Sequence, residues 1–214
     1  MTHSGRPPKR LASTQLLLAL LSMFATVPAS AQPAPQRVTY PILRVKVASH
    51  VLERFSQTTA DGARYEIFRA VPRKPAPETG YPVLTLLDGN AVFDRLTPDF
   101  LAAAPDLVLV GIGYESEVRF DSKRRALDYT PPLSDAGPVP DVERPGGEVG
   151  GADRFLRRLT GELRVAAEAG LRVDPERRSL WGHSYGGLFT LYALLRQPRA
   201  FSCYVAVSPS MDWG

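Results

Sequence analysis

Three short apolar runs constrain this chain more than any other feature: Pro82-Val-Leu-Thr-Leu-Leu87, Asp106-Leu-Val-Leu-Val-Gly-Ile112 and Phe201-Ser-Cys-Tyr-Val-Ala-Val207. Each has the length of a strand, and a strand with little polar alternation must be covered on both faces, as in a parallel sheet flanked by helices. Segments able to form those helices stand between the runs. Residues 91–104 can hold a short helix interrupted by Pro98. Asp153 is placed to cap a longer helix whose Phe155, Leu156, Leu159, Leu163 and Ala167 share one face and which Gly170 ends. Arg154, Arg157, Arg158 and Arg164 lie mostly off that face and read as solvated. A turn at Asp174-Pro175, a strand over residues 178–181 and an apolar helix over residues 186–197, stopped by Pro198, complete the alternation. Ahead of it, strand-like stretches at 44–48, 51–57 and 63–71, with Asp61-Gly62 as a hairpin turn, predict an antiparallel entry to the sheet. The pattern as a whole predicts an α/β domain with a largely parallel sheet. Residues 130–151 are rich in Pro and Gly and lack apolar periodicity, so they form a long loop able to cover a site.

Charge has to be placed before it is interpreted. The 214 residues carry 26 Lys+Arg against 22 Asp+Glu, a formal net charge of +4. Residues 1–31 contribute Arg6, Lys9 and Arg10 and no acidic residue, followed by an apolar run to about Val27 and Ala29-Ser-Ala31. That is the layout of a secretory signal peptide, with a basic start, a run too interrupted by Ser13, Thr14 and Gln15 to span a membrane, and small residues at a cleavage site. Its removal leaves 23 basic residues against 22 acidic ones, hence a nearly neutral domain from residue 32 to residue 214. A periplasmic or secreted location is expected. No clustered basic stripe argues for nucleic acid, and no stable membrane insertion is expected after cleavage. The single Cys203 excludes a disulfide framework and a Cys-rich zinc site, and its apolar neighbours suggest a small buried hydrophobe. No metal or organic cofactor is implied.

The chemistry resides in Arg178-Ser-Leu-Trp-Gly182-His-Ser-Tyr-Gly-Gly187, a Gly-x-Ser-x-Gly between a predicted strand and a predicted helix. A serine on so sharp a turn needs small neighbours, because the backbone is strained and the helix packs close to it. The turn lifts the hydroxyl above the sheet edge, and the helix N-terminus aims N–H groups at a developing oxyanion. Ser184 is therefore the candidate nucleophile.

Together with this segment, Ser208-Pro-Ser210, Leu87-Asp-Gly-Asn90, Arg125-Ala-Leu-Asp-Tyr-Thr-Pro131 and Gly150-Gly-Ala-Asp-Arg-Phe155 resemble the "putative esterase" branch of the α/β-hydrolases. That branch includes esterase D, feruloyl esterases and the enterochelin-type siderophore esterases, and the resemblance runs from about residue 45 to the last residue. It implies a three-layer α/β-hydrolase fold, mostly parallel, with antiparallel N-terminal strands. By position it also implies that the N–H groups of Tyr185 and Asn90 form the oxyanion hole. Arg125 matches a motif arginine that could hold an anionic or catecholate group of a small-molecule ester; an ion pair with Asp128 or another loop carboxylate is an equal alternative.

A serine nucleophile needs a general base, almost always histidine, which in this fold follows the serine in the chain. No histidine follows Ser184. His3 lies in the signal peptide, His50 on an early strand, and His183 beside the nucleophile, where the elbow directs it toward packing rather than catalysis. Asp212, the only later carboxylate, lies too close to Ser208-Pro-Ser210 to match the position of the family acid. The resemblance suggests that relatives continue through two more strands and a histidine-bearing loop. The expectation is thus a serine carboxylic-ester hydrolase, possessing an acyl-enzyme on Ser184, from which the last strands and the base are missing as in a fragment. The alternatives are a catalytically dead binding module and an acyltransferase on the same fold.

Overall fold

The computed structural model describes residues 35–213, so the signal-peptide segment lies outside the described residues. The N-terminal hairpin forms as the sequence suggests. Strands β1 (His50–Thr58) and β2 (Arg64–Pro72) pair antiparallel. The turn between them is closed by the Thr59 N–H donating to the Ala63 carbonyl at 2.8 Å, with Gly62 at φ 83°. No strand forms at 44–48. The chain there makes a single 3₁₀ turn at Pro41–Arg44, because Pro41 at its start favours a turn and Tyr40 enters it in the left-handed region.

The sheet then builds through β3 (Tyr81–Leu86), β4 (Val108–Gly113), β7 (Val173–His183) and β8 (Cys203–Val207). Its order is β1-β2-β4-β3-β7-β8, with β2 antiparallel to β4 and the last four strands mutually parallel. Every residue of β4 is buried, as an unbroken apolar run requires. Alternation then sorts side chains between two cores. Val83, Leu87, Val108, Val110 and Ile112 face one, and Leu84, Leu86, Leu109 and Trp181 face the other. The first core is closed by α3 (Ser122–Tyr129), α4 (Ala152–Thr160), α5 (Glu162–Glu168) and α6 (Tyr185–Arg196). The second is closed by α1 (Gly89–Arg95) and α2 (Pro98–Ala102). Each large apolar side chain buried in this way contributes about 1.5–3 kcal/mol. This is the α/β domain with a largely parallel sheet that the alternation predicted, in the three layers that the resemblance implied.

Four local expectations are corrected. The helix expected from Asp153 to Gly170 is two helices, broken at Gly161 (φ −108°, ψ −108°); Gly151 occupies the cap position, and the Asp153 carboxylate accepts instead from the Tyr192 hydroxyl at 2.6 Å. Two of its arginines are folded in rather than solvated. Arg158 pairs with Asp61 and donates to the Tyr65 hydroxyl, and Arg164 covers the Phe201 ring and donates to the Ala200 carbonyl. Strand β7 starts at Val173, and Asp174-Pro175 sits within it as an irregularity where the register to β3 shifts. Cys203 is exposed, because β8 is the outer strand among the described residues and the thiol lies at its start.

Within the 130–151 loop the chain folds into a two-stranded hairpin, β5 (Val139–Pro140) and β6 (Glu148–Val149). Among the described residues no helix is long and apolar enough to cross a membrane, and no group of three or more His, Cys, Asp or Glu could hold a metal ion.

Candidate active site

Three connections meet at the carboxyl edge of the parallel strands, where open α/β sheets place their ligands. The first is the turn from β7 into α6. Ser184 occupies it at φ 57°, ψ −120°, a conformation an L-residue keeps only when its surroundings enforce it. The enforcement is visible. The Ser184 N–H donates to the Val207 carbonyl at 3.0 Å, and its carbonyl accepts from the Leu188 N–H at 2.9 Å and the Ser210 N–H at 3.3 Å. A Cβ on Gly182 would lie 2.1 Å from the Gly186 carbonyl oxygen, and one on Gly187 would lie 2.9 Å from that of Val207. Those two glycines are sterically required. Gly186 is not, since a Cβ there would meet nothing nearer than 3.5 Å.

The serine hydroxyl lies 3.2 Å from the Ser210 hydroxyl, and both line an open cleft of about 970 Å³. Tyr185 opens the twelve-residue α6, so its N–H lies at the positive end of a helix directly beside the serine. Its ring is flanked by the Arg125 guanidinium at 5.5 Å, the Arg144 guanidinium at 5.3 Å and the edge of Trp213 at 6.0 Å.

The second connection runs from β3 into α1. Asp88 sits there in the left-handed region (φ 52°), with its N–H donating to the Tyr129 hydroxyl at 3.0 Å. Asn90 lies just beyond, buried, and does not line the cleft. Its amide oxygen accepts from the Tyr114 N–H at 2.8 Å, and its amide nitrogen donates to the Tyr40 hydroxyl and the Tyr114 carbonyl, both at 2.9 Å. Gly113 is glycine because a Cβ there would collide with that side chain. The Asn90 side chain thus locks the end of β4 to α1.

The third is α3, which carries Arg125. Its Nε and Nη2 grip both oxygens of Asp88, at 3.0 and 2.9 Å. Of the partners left open by the sequence, the carboxylate is Asp88 and not Asp128. Asp128 is buried elsewhere and accepts from the Tyr65 hydroxyl at 2.8 Å. Burial opposes the charge on Arg125, but the Asp88 carboxylate outweighs it and raises the guanidinium above its usual range. Arg125 also lines the cleft.

The structure therefore gathers Ser184, Tyr185 and Arg125 at one opening and leaves Asn90 beneath it. Asp212 also reaches the cleft. His50 is at the opposite edge, its Nε2 3.0 Å from the carbonyl of Leu107, just ahead of β4. His183 ends β7; burial first, and then the Arg125 charge, lower its pKa below the usual range. Sequence reasoning did not assign Asp88, which appears in the quoted Leu87-Asp-Gly-Asn90 segment but finds its partner only through the docking of α3. Nor did it assign Asp141 and Arg144, which lie in a loop without periodicity.

The model of the family described as "Putative esterase" matches residues 58–214. The chain is 40% identical over 171 residues to "Apo-salmochelin esterase" of Escherichia coli O6:H1, covering 77% of this chain and 54% of that protein. It is 39% identical over 173 residues to "Ferri-bacillibactin esterase BesA" of Bacillus subtilis, covering 75% and 58% respectively. It thus spans a little over half the length of these curated relatives. Among solved structures, "Enterobactin and Salmochelin Hydrolase IroE" superimposes with a TM-score of 0.68 at 36% identity, over 80% of this chain and 67% of that one.

Proposed function

The chain belongs to the Putative esterase family, and from that premise we propose that it is the nucleophile-bearing part of an exported serine carboxylic-ester hydrolase acting on siderophore lactones or related acyl esters. The observation that carries the reading is the strained Ser184, held at the head of α6 in the floor of an open cleft. The substrate class rests on the relatives, whose names describe esterases of salmochelin and bacillibactin.

In this mechanism the Ser184 oxygen attacks the ester carbonyl carbon while its proton passes to a general base. The resulting oxyanion is held by the Tyr185 N–H and a second backbone donor from the β3–α1 turn, for which Asn90 is the positional candidate. Donors of this kind are worth about 10²–10³ in turnover each. Collapse of the intermediate expels the alcohol, which takes up the proton. Water, activated by the same base, then attacks the acyl-enzyme, releasing the acid and restoring the serine hydroxyl. His50 is not that base, because it lies at the far edge of the sheet with its Nε2 on the Leu107 carbonyl. Arg125, braced on Asp88, presents positive charge to the substrate from the cleft wall. The N-terminal basic and apolar segment directs export to the periplasm or beyond.

The test is hydrolysis of a catecholate trilactone and of simple acyl esters by the native polypeptide. Turnover is expected, and Ser184→Ala should reduce it by a factor on the order of 10⁶, as for other serine nucleophiles. Turnover retained in that variant would contradict the mechanism.

A further inference from the structure

The β5–β6 hairpin forms one wall of the cleft over Ser184, through Val139, Pro140, Asp141, Val142, Arg144 and Val149. The wall is stiffened from within by Asp141. One oxygen of that buried carboxylate accepts from the N–H groups of Glu143 and Arg144 at 2.8 and 3.1 Å. The Asp141 N–H donates to the Gly147 carbonyl, and the Gly147 N–H to the Arg144 carbonyl, which closes the turn. Arg144 then ties the hairpin across the site. Its Nη1 donates to the other Asp141 oxygen at 2.7 Å, its Nη2 donates to the Tyr185 hydroxyl at 3.2 Å, and its carbon centre stands 5.3 Å from the Tyr185 ring. A planar guanidinium offers separate nitrogens to the carboxylate and the phenol oxygen and a flat face to the ring, whereas an ammonium group presents all three of its donors from one point. Although it lines the cleft, the Arg144 side chain is only 16% exposed, so it is built into the wall.

The ring it holds belongs to the residue that follows the nucleophile. We infer that Arg144 is a positioning residue that sets substrate specificity: by clamping the β5–β6 wall to the Tyr185 ring it fixes the width of the cleft beside Ser184. Esters with a bulky acyl or alcohol group that reaches the wall depend on the clamp. Esters with a small acyl group occupy only the serine and its oxyanion donors and are indifferent to it. This inference rests on the serine-esterase reading of the site.

The experiment compares a small ester, p-nitrophenyl acetate, with a bulky aromatic one, p-nitrophenyl naphthoate, on the native polypeptide and on Arg144→Met, which keeps the stem and removes the fork. For the naphthoate, KM should rise roughly tenfold, the size of one lost charged hydrogen bond, with kcat retained. For the acetate, KM and kcat should stay unchanged, as should the rate of Ser184 labelling by a small fluorophosphonate. Arg144→Lys should not rescue the naphthoate KM. Tyr185→Phe, which removes the acceptor hydroxyl but keeps the ring, should raise the same KM and should not add to Arg144→Met in the double variant. If Arg144→Met fails to fold, Arg144→Gln, which keeps a polar end and removes the fork, carries the same two-ester comparison. Equal effects on both esters, or no effect on either, would overturn the inference while labelling of Ser184 left the esterase reading intact. A wild-type protein that is neither labelled nor active on either ester would instead overturn the esterase reading, and this inference with it.

Discussion

At Ser184 the backbone is held where an unconstrained residue would not remain, and the glycines around it divide by what they permit. A methyl group on Gly182 would enter the backbone of Gly186 itself, whereas one on Gly186 would rest at ordinary contact distance from Leu87. Gly182→Ala should therefore cost about 3 kcal/mol or more, the upper range of overpacking with no flexible neighbour to yield. Gly186→Ala, within the first turn of α6, should cost less than about 1 kcal/mol, since alanine also favours the helix. Denaturant titration of the two variants measures the difference, and equal losses would refute the steric account. The sequence motif treats these two glycines alike; only the approach of α6 to β7 separates them. Asn90 carries a similar lesson. The resemblance gave its backbone N–H a place in the oxyanion hole, and its side chain is in addition a brace between α1 and β4, which a linear pattern does not record.

Among elements, α1 anchors more than its seven residues suggest. The Asp94 carboxylate, 1% exposed, accepts from the N–H groups of Thr39 and Tyr40 at 2.6 and 2.8 Å and from Arg119 at 2.6 Å. Burial alone would raise its pKa, but those three donors outweigh burial and hold it below the usual carboxylate range. A depressed folded pKa means that its stabilisation is present above the unfolded value near 3.8 and is lost as pH falls through the folded one. Asp94→Asn should cost about 3 kcal/mol at neutral pH, because it strands Arg119 and weakens the tether of residues 39 and 40. The gap between variant and wild type should close as pH falls below that range, and thermal melts across pH 2–7 would show it; a gap independent of pH would contradict the assignment. The elements themselves were largely legible, because buried parallel strands and one-faced helices leave a strong apolar signature. The break at Gly161 and the irregularity at Pro175 were less so. Both fall on residues that disfavour regular structure, Gly161 and Pro175, but a lone glycine in a helical pattern or a proline near a strand start does not by itself fix a break. The β5–β6 wall left no trace in hydrophobic periodicity, since turn hydrogen bonds from Asp141 hold it rather than an apolar face.

For the molecule as a whole, the sheet decides what can meet what. Ser184, Tyr185, Arg125 and Arg144 are brought to one opening from β7–α6, α3 and the β5–β6 hairpin, while His50 is fixed at the opposite edge. His50 is therefore too remote to serve Ser184 as a base. The central claim is that Ser184 is an activated nucleophile, and covalent mapping tests it most directly. The native polypeptide would be exposed to a fluorophosphonate, digested with trypsin and read by mass spectrometry on the peptide spanning residues 179–196, which contains both Ser179 and Ser184. The account predicts a single adduct on Ser184, with Ser179 unmodified. A polypeptide that binds esters but carries no adduct, or carries it on any other serine, would contradict it.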